Sequence, residues 1–567
     1  MAAERTAPER ADIEKAMMHI IAHEPVFAIG EAEIRGNRYR AFVNAPGDLR
    51  GLIALCDAHG AATAVVCGED RWTYADLAAK SRAVASGLAQ EGVAKGDHVA
   101  LAMRNSPEWM ACYLGIAALG AVVVPLNGWW TADEMAFALE HCGASFVIAD
   151  PEQGLRITPS KAKLGFRLAA AGGDLDGADT TLQAIMDAGA NTSPPAVEIA
   201  PDDDLAVMYT SGSTGKPKGV VLTHRAAWSS ILSFALVAAS VKATPAGAAM
   251  VPENPSILVA LPFFHVTGSH PIFMLSVLIG RKMVLMRKWS PDEAIRLIKA
   301  EAITNFVGVP TMSYELMLKA REMGEPLDSL LDLGSGGAKR PASHVARLSE
   351  QFPRAWSSSG YGLTESSALG TYAGMADYQR KPGAAGRPLP PLTDVKTVAE
   401  DGQDCAPGEP GEVWIRTPGN FRCYLHDPDS TDAALTPDGW LKTGDMGEFD
   451  EEGFLSIVDR LKDMIVRGGE NVACLEVEAA LCEHTAIREA AVFSVPDERL
   501  GETVGAAIVA DPAAGLEASD IAEFLKDRLA AFKRPEHVWI VHDPLPRIGS
   551  EKFDKRSIRK RCLAGDF

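Results

Sequence analysis

Residues 205–225 read Leu-Ala-Val-Met-Tyr-Thr-Ser-Gly-Ser-Thr-Gly-Lys-Pro-Lys-Gly-Val-Val-Leu-Thr-His-Arg. Two apolar runs, Leu205-Ala206-Val207-Met208-Tyr209 and Val220-Val221-Leu222, have the length and character of buried strands. Between them Gly212, Gly215 and Gly219 alternate with Thr210, Ser211, Ser213 and Thr214, and with Lys216 and Lys218. Glycines let a backbone take positive φ and bring its N–H groups close to a ligand. Successive N–H groups form a concave anion site, to which hydroxyls and ammonium groups add donors. A loop of this composition between two buried strands points to a polyphosphate cradle, whereas a flexible linker needs no such clamp. A P-loop is excluded by spacing, because it requires Gly, four residues, then Gly-Lys-Ser/Thr. Here Thr210 stands five residues before Gly215, and Pro217 follows Lys216.

The rest of the chain sets bounds on that site. A length of 567 residues exceeds one core, so at least two domains are expected. Apolar residues at 47% and charged residues at 23% are ordinary for a soluble globular protein. A net charge of −20 argues against nucleic acid as a partner, since that binding depends on phosphate neutralisation. Positive charge for a polyphosphate must then be local, and Lys216, Lys218 and Arg225 are placed to supply it. Nine dispersed cysteines without a Cys-x-x-Cys pair suit a reducing cytoplasm. The charged N-terminus lacks the apolar stretch of a signal peptide. Residues 109–126 carry no charge, but Gly115, Gly120 and Pro125 interrupt them. A buried helix followed by a buried parallel strand explains that segment better than a membrane span.

Helix and strand alternate along the first three-quarters of the chain, the rhythm of a parallel sheet covered by helices. Thr73 is an N-cap before a helix with Leu77, Val84 and Leu88 on one face. Strands are expected at 98–103, 121–125 and 145–150, with helices at 107–119 and 132–141. After a polar gap at about 170–203, strands recur at 257–261, 282–286 and 304–309. Ser290-Pro291-Asp292-Glu293 reads as a capping box opening a helix to residue 301. Residues 390–460 turn to short strands between Gly, Pro and Asp, which suggests a β-rich subdomain. Beyond 460 a compact α+β unit is expected: helix 475–483, strands 489–495 and 504–510, helix 519–531, strand 537–542.

Several further segments carry chemistry. They are Phe263-Phe264-His265-Val266-Thr267-Gly268, Gly336-Gly337-Ala338, Ser359-Gly360-Tyr361-Gly362-Leu363-Thr364-Glu365, Gly386-Arg387-Pro388 and Gly411-Glu412-Val413. Trp440-Leu441-Lys442-Thr443-Gly444-Asp445, Asp459-Arg460-Leu461-Lys462-Asp463, Gly468-Gly469-Glu470-Asn471 and Lys552 follow. With the loop at 209–219, this ordered set resembles the adenylate-forming superfamily, in its acyl-CoA synthetase and fatty-acid–CoA ligase branch. The resemblance runs from about residue 70 to the C-terminus. It implies a large N-terminal AMP-binding domain over 1–460 and a small mobile C-terminal domain over 461–567, with the hinge near Lys462. It also implies a two-step reaction: a carboxylic acid and ATP give an acyl-adenylate and pyrophosphate, and coenzyme A then displaces AMP to give a thioester.

By the same resemblance, Thr210, Ser211, Gly212, Ser213, Thr214, Gly215, Lys216 and Lys218 hold the phosphates. Gly336, Gly337, Ala338 and Tyr361 form the adenine pocket, and Gly360, Gly362 and Thr364 also contact the nucleotide. Asp445 and Arg460 take the ribose, and Glu365 with Thr210 holds Mg²⁺, which favours one or two carboxylates plus phosphate oxygens. Lys552 is the catalytic cation between carboxylate and α-phosphate. Here the chain departs from the family: Glu551 stands where glycine is usual, and Lys555 is close by as a rival. Gly468 and Gly469 border the coenzyme A channel.

Peptide-synthetase adenylation domains place an aspartate after the phenylalanine to pair with an amino group. This chain has Phe264-His265, so an acyl-CoA ligase is favoured over an amino-acid activator. The sequence ends 15 residues past Lys552, and no carrier domain is expected after it. His265 and Val309 are expected to line an apolar pocket for a fatty, aromatic or steroid-like acid. An acceptor other than coenzyme A, or a non-catalytic nucleotide-binding homologue, remains as the alternative. No membrane span is expected, and a homodimer is left open.

Overall fold

The computed structural model describes residues 7–210, 217–248, 250–461, 463–467, 470–548 and 552–567, with the backbone alone at Asn471. The expected α/β architecture is present, with helices covering and separating two large sheets. One has eight strands, ordered Cys423–Tyr424, Lys218–Thr223, Asp204–Thr210, Val122–Pro125, His98–Ala102, Phe146–Ala149, Arg167–Ala170 and Thr180–Thr181. The run from Asp204–Thr210 to Thr180–Thr181 is parallel. The two strands that bracket the glycine-rich loop pair antiparallel, with Thr210 opposite Lys218.

The second sheet has nine strands. Six of them are parallel neighbours in the order Trp356–Gly362, Asp332–Gly336, Asn305–Gly308, Ser256–Val259, Lys282–Leu285 and Thr63–Cys67. One continuous core joins the two sheets. Helix Pro107–Ala118 lies inside it, with every residue except Glu108 buried. Trp109 and Tyr113 stack at 5.1 Å, and Phe263 and Phe273 pack around them. The uncharged segment 109–126 is therefore a core helix and the parallel strand Val122–Pro125, and no helix of the described residues is long and apolar enough to cross a membrane.

A four-stranded antiparallel sheet, Asp394–Val398, Gly411–Arg416, Leu441–Phe449 and Leu455–Arg460, forms the expected β-rich unit. From Ile465 onward a five-stranded sheet carries apolar clusters of its own on its two faces. The N-terminal segment adds helix Arg10–His23 and the hairpin Ile29–Ile34/Asn37–Phe42, whose Asn37 and Tyr39 side chains donate to the carbonyls of Pro437 and Gly439.

Local signals gave helix starts correctly. Thr73 accepts from Asp76 N while Asp76 reaches back to Thr73 N, a reciprocal cap. Ser290 caps Glu293 N, but Glu293 turns to Arg296 instead of completing the box. Two expectations need correction. The polar gap holds helix Leu182–Gly189, whose Leu182, Ile185 and Met186 are buried, with Gly87 and Gly189 permitting close approach to helix Tyr74–Gln90. The helix expected over 519–531 stops at Phe524. There the carbonyls of Phe524, Lys526 and Leu529 accept from the guanidinium groups of Arg528 and Arg534, which take over from backbone donors.

Candidate active site

Four neighbouring parallel strands deliver the chemistry-bearing segments at their carboxyl ends. Strand Ser256–Val259 leads to Phe263–His265, Asn305–Gly308 to Val309, Asp332–Gly336 to Gly337-Ala338, and Trp356–Gly362 to Thr364-Glu365. In-register pairing sets Gly308 beside Ser335 and Gly336 beside Gly360. The crevice beyond such strand ends is where open α/β sheets bind ligands, because the loops there diverge and leave room. A Cβ at Gly336 would stand 3.9 Å from both Gly360 O and Thr267 Cγ2, in ordinary van der Waals contact with the floor of this crevice. Gly337 turns the chain away at a φ of +78°.

The β-rich unit supplies a carboxylate and a guanidinium to the same place. Asp445 and Arg460 are cross-strand partners, with Arg460 Nε 3.3 Å from Asp445 Oδ1. The other oxygen, Asp445 Oδ2, accepts the Tyr361 hydroxyl at 2.8 Å. Burial and the adjacent carboxylate push the Tyr361 phenol well above its ordinary value, so it stays a donor. Thr443 Oγ1 accepts Asp445 N at 3.1 Å and Glu412 Oε1 accepts Gly444 N at 3.0 Å, which fixes the turn carrying the carboxylate.

On the opposite side, Lys218 donates to Ser430 Oγ at 2.8 Å, with its ammonium 4.8 Å from the centre of the Tyr424 ring. Tyr424 donates to Glu365 Oε1 at 2.9 Å, and Phe421 N donates to the Glu365 carbonyl at 2.7 Å. Burial raises the Glu365 carboxyl above its ordinary range, against the lowering effect of hydrogen bonds from its own backbone N–H and the Tyr424 hydroxyl and of the Arg460 charge. Ser211, Gly212, Ser213, Thr214, Gly215 and Lys216 lie outside the described residues. Arg225 does not join this charge, because it forms a bidentate pair with Asp202 at 2.7 and 2.8 Å. No group of three His, Cys, Asp or Glu able to hold a metal occurs among the described residues. A single carboxylate, Glu365, with the Thr210 hydroxyl is a donor set that fits Mg²⁺ shared with phosphate oxygens, and not an all-protein cage.

The two C-terminal lysines have separate places. Lys552 reaches the crevice: a Cβ at Gly337 would stand 3.4 Å from its Cε. Burial lowers its ammonium to about 8, with Arg460 adding to the effect and Asp445 and Glu365 opposing it. Lys555 instead pairs with Glu478 at 2.7 Å within the C-terminal unit. Burial pulls the Lys555 value down, but Glu478 outweighs it and the net shift is upward.

Val309 is buried at the start of helix Pro310–Met323. The His265 ring lies 4.6 Å from that of Phe264, which Trp129 meets edge-on at 5.0 Å. Lys462, Gly468 and Gly469 lie outside the described residues. Sequence reading passed over Tyr424 and Arg547. Only Tyr424 carried a signal, as a tyrosine in the apolar stretch Phe421-Arg422-Cys423-Tyr424-Leu425.

Residues 54–425 match the AMP-binding enzyme family, and residues 476–552 match the AMP-binding enzyme C-terminal domain. A feruloyl-CoA synthase of Amycolatopsis sp is 34% identical over 503 residues, covering 88% of this chain and 96% of that protein. A long-chain-fatty-acid–CoA ligase, FadD13 of Mycobacterium tuberculosis, is 35% identical over 496 residues, covering 87% and 94%. The o-succinylbenzoate CoA synthetase MenE of Bacillus subtilis, solved with its acyl-adenylate intermediate, has a TM-score of 0.76 at 28% identity, covering 91% of this chain and 98% of that one. The same enzyme in complex with ATP and magnesium ion has a TM-score of 0.75 at 28% identity, covering 91% and 99%.

Proposed function

The chain belongs to the AMP-binding enzyme family and is an ATP-dependent acyl-CoA synthetase, and on that premise we propose which residues carry its two half-reactions and which class of acid it takes. In the first half-reaction a carboxylate oxygen attacks the α-phosphorus of ATP, and pyrophosphate leaves. In the second, the thiol of coenzyme A attacks the acyl carbon of the adenylate, loses its proton, and AMP leaves.

Asp445 accepts the ribose hydroxyls, with Arg460 beside it. The ring of Tyr361 and the backbone of Gly336, Gly337, Ala338, Gly360, Gly362 and Thr364 receive adenine. Thr210 to Gly215, Lys216 and Lys218 hold the phosphates. Glu365 and Thr210 would hold Mg²⁺, which when bound neutralises polyphosphate charge. Lys552 bridges the incoming carboxylate and the α-phosphate, where attack of one anion on another most needs a cation. The observation that carries this assignment is the placing of Lys552, from the C-terminal unit, against Gly337 and within the fields of Arg460, Asp445 and Glu365.

The domain boundary is proposed near residue 461, with Lys462 as hinge and Gly468 and Gly469 beside the thiol channel. Separate apolar clusters from Ile465 onward support that division. A hinge suits the chemistry, since Lys552 serves the first half-reaction and must withdraw to admit pantetheine in the second. The acid is proposed to be hydrophobic, with a fatty, aromatic or steroid-like body lying between His265 and Val309. Apolar Phe264 and Val309 and the aromatic Trp129 support this, as do relatives named for ferulate and for long-chain fatty acids. A cytoplasmic setting accords with nine free cysteines.

The test separates the half-reactions. Lys552→Ala should abolish acid-dependent exchange of pyrophosphate into ATP yet still convert supplied acyl-adenylate and coenzyme A to thioester. Equal loss of both steps would refute the role given to Lys552. A carboxylic-acid panel scored by thioester formation tests the acid class, and a preference for small polar acids would overturn it.

A further inference from the structure

Arg547 is the one arginine of the loop that precedes Lys552, and it joins the two domains. Its guanidinium Nη1 donates to Thr311 Oγ1 at 2.7 Å, across 236 residues of sequence. Thr311 lies in the first turn of helix Pro310–Met323, two residues past Val309. One helical turn later, Glu315 presents Oε1 to Arg547 Nη2 at 4.0 Å, while its Oε2 accepts Trp289 Nε1 at 2.6 Å. The large domain thus offers a hydroxyl and an anchored carboxylate on one helix face.

The C-terminal domain holds the other side of the same guanidinium. Glu489 pairs with Arg547 Nη2, and its Oε2 accepts Leu545 N at 2.8 Å, so one carboxylate grips the loop at two points. Arg547 and Lys552 are then linked by backbone. Arg547 bridges Phe553 in antiparallel fashion, and Ile548 N donates to the Lys552 carbonyl at 2.8 Å. The guanidinium also lies 5.0 Å from the centre of the Phe553 ring. Arg547 and Lys552 are therefore joined by backbone pairing, and the guanidinium ties that pairing to the acid-side helix of the large domain.

We propose that Arg547 is a positioning residue for adenylation, a latch on Thr311 and Glu315 that seats Lys552 only when the segment after Val309 is in place. The inference rests on the role proposed for Lys552. It adds that the lysine's arrival is coupled to the helix beside the acid. Withdrawal of Lys552 for the thiol step carries the paired Arg547 away and breaks the Arg547–Thr311 bond, so the latch serves the first half-reaction alone. An arginine suits the task because its planar fork serves both domains at once, which a lysine point charge does not.

The test compares wild type, Lys552→Ala, Arg547→Met and Arg547→Lys in both half-reactions. Arg547→Met should lower acid-dependent pyrophosphate exchange about a hundredfold, the scale of a slightly misplaced catalytic group. Thioester formation from supplied acyl-adenylate should stay within about twofold of wild type, and Arg547→Lys should recover part of the exchange. A fold defect would depress both half-reactions together, and so would overturn the latch. Thr311→Val, made on the other domain, should lower exchange in the same direction, and in combination with Arg547→Met should cost little more than Arg547→Met alone. Additive losses would overturn the coupling. If Lys552→Ala behaves as expected and Arg547→Met spares exchange, only the latch fails; if Lys552→Ala spares exchange, the assignment beneath it fails.

Discussion

The Tyr361 hydroxyl donates to Asp445 Oδ2 at 2.8 Å, across the seam between the nine-stranded sheet and the β-rich unit. One bond therefore ties the ring proposed to face adenine to the carboxylate proposed to take the ribose. Each orients the other before any nucleotide arrives. Tyr361→Phe keeps the ring and removes that tie. A hydrogen bond to a charged acceptor contributes roughly 1.5–3 kcal/mol, so the KM for ATP should rise about tenfold or more with a smaller change in kcat. Steady-state thioester formation at varied ATP measures both, and an unchanged KM would count against the tie.

Lys552 sets a pH limit of its own. Burial, then Arg460, holds its ammonium at about 8, against an ordinary 10.5. Charge at this lysine is present below pH 8 and is lost as pH rises through that value. The kcat/KM for ATP in pyrophosphate exchange, which reports the free enzyme, should therefore fall about tenfold per unit on the alkaline side. Lys552→Arg should lack this limb, since a guanidinium stays charged. The sign for closure is opposite. An exposed lysine holds its proton up to 10.5 and the seated one only to 8, so the seated state gains stability as pH rises across that window.

Tyr424 bridges the carboxylate proposed to hold Mg²⁺ and the lysine proposed to hold phosphate, bonding Glu365 Oε1 at 2.9 Å while Lys218 sits over its ring. Tyr424→Phe should raise the Mg²⁺ concentration for half-maximal exchange about tenfold or more, the loss of one hydrogen bond to a charged acceptor. Calorimetric titration with ATP should show the weakening with Mg²⁺ present and little without it. Equal weakening in both titrations would assign Tyr424 to phosphate contact instead.

Lys555 should behave as a structural cation. Its partner Glu478 is 13% exposed and also accepts Val492 N at 2.8 Å, so Lys555→Met strands a carboxylate. The cost should be about 2 kcal/mol, below the range for fully buried pairs because the lysine is 25% exposed. Thermal melting should show the loss, and the two half-reactions should fall in proportion. A selective loss of exchange would reopen the choice between the two lysines.

Gly337 combines a φ of +78° with a Cβ position 3.4 Å from Lys552 Cε. Gly337→Ala should cost about 1–2 kcal/mol of backbone strain and should disturb the seat of the lysine. Pyrophosphate exchange should drop further than thioester formation, which two-step kinetics of the variant can read.

What could be read in the sequence was local. Thr73 and Asp76 lie three residues apart and cap their helix without help from the rest of the chain. The apolar runs at 98–103 and 121–125 contain their own strand signal, and Thr210 and Lys218 face each other because the strands carrying them are joined by one loop. Ordered motifs were enough to place the chain among adenylate-forming enzymes, because each is a short segment legible without knowing what the fold packs against it. Composition misled where side chains replaced backbone donors, as at Phe524, where Arg528 and Arg534 end a helix that propensity would continue.

Tertiary structure alone decided which charges meet. Glu365 finds Tyr424 across 59 residues, and Arg547 finds Thr311 across 236. Lys552 and Lys555 have similar neighbours in sequence, yet one enters the crevice and the other pairs with Glu478. The reason is physical. A charged side chain on a flexible stem has no preferred partner locally, and its role is set by the field and burial of groups that only the folded chain brings within reach.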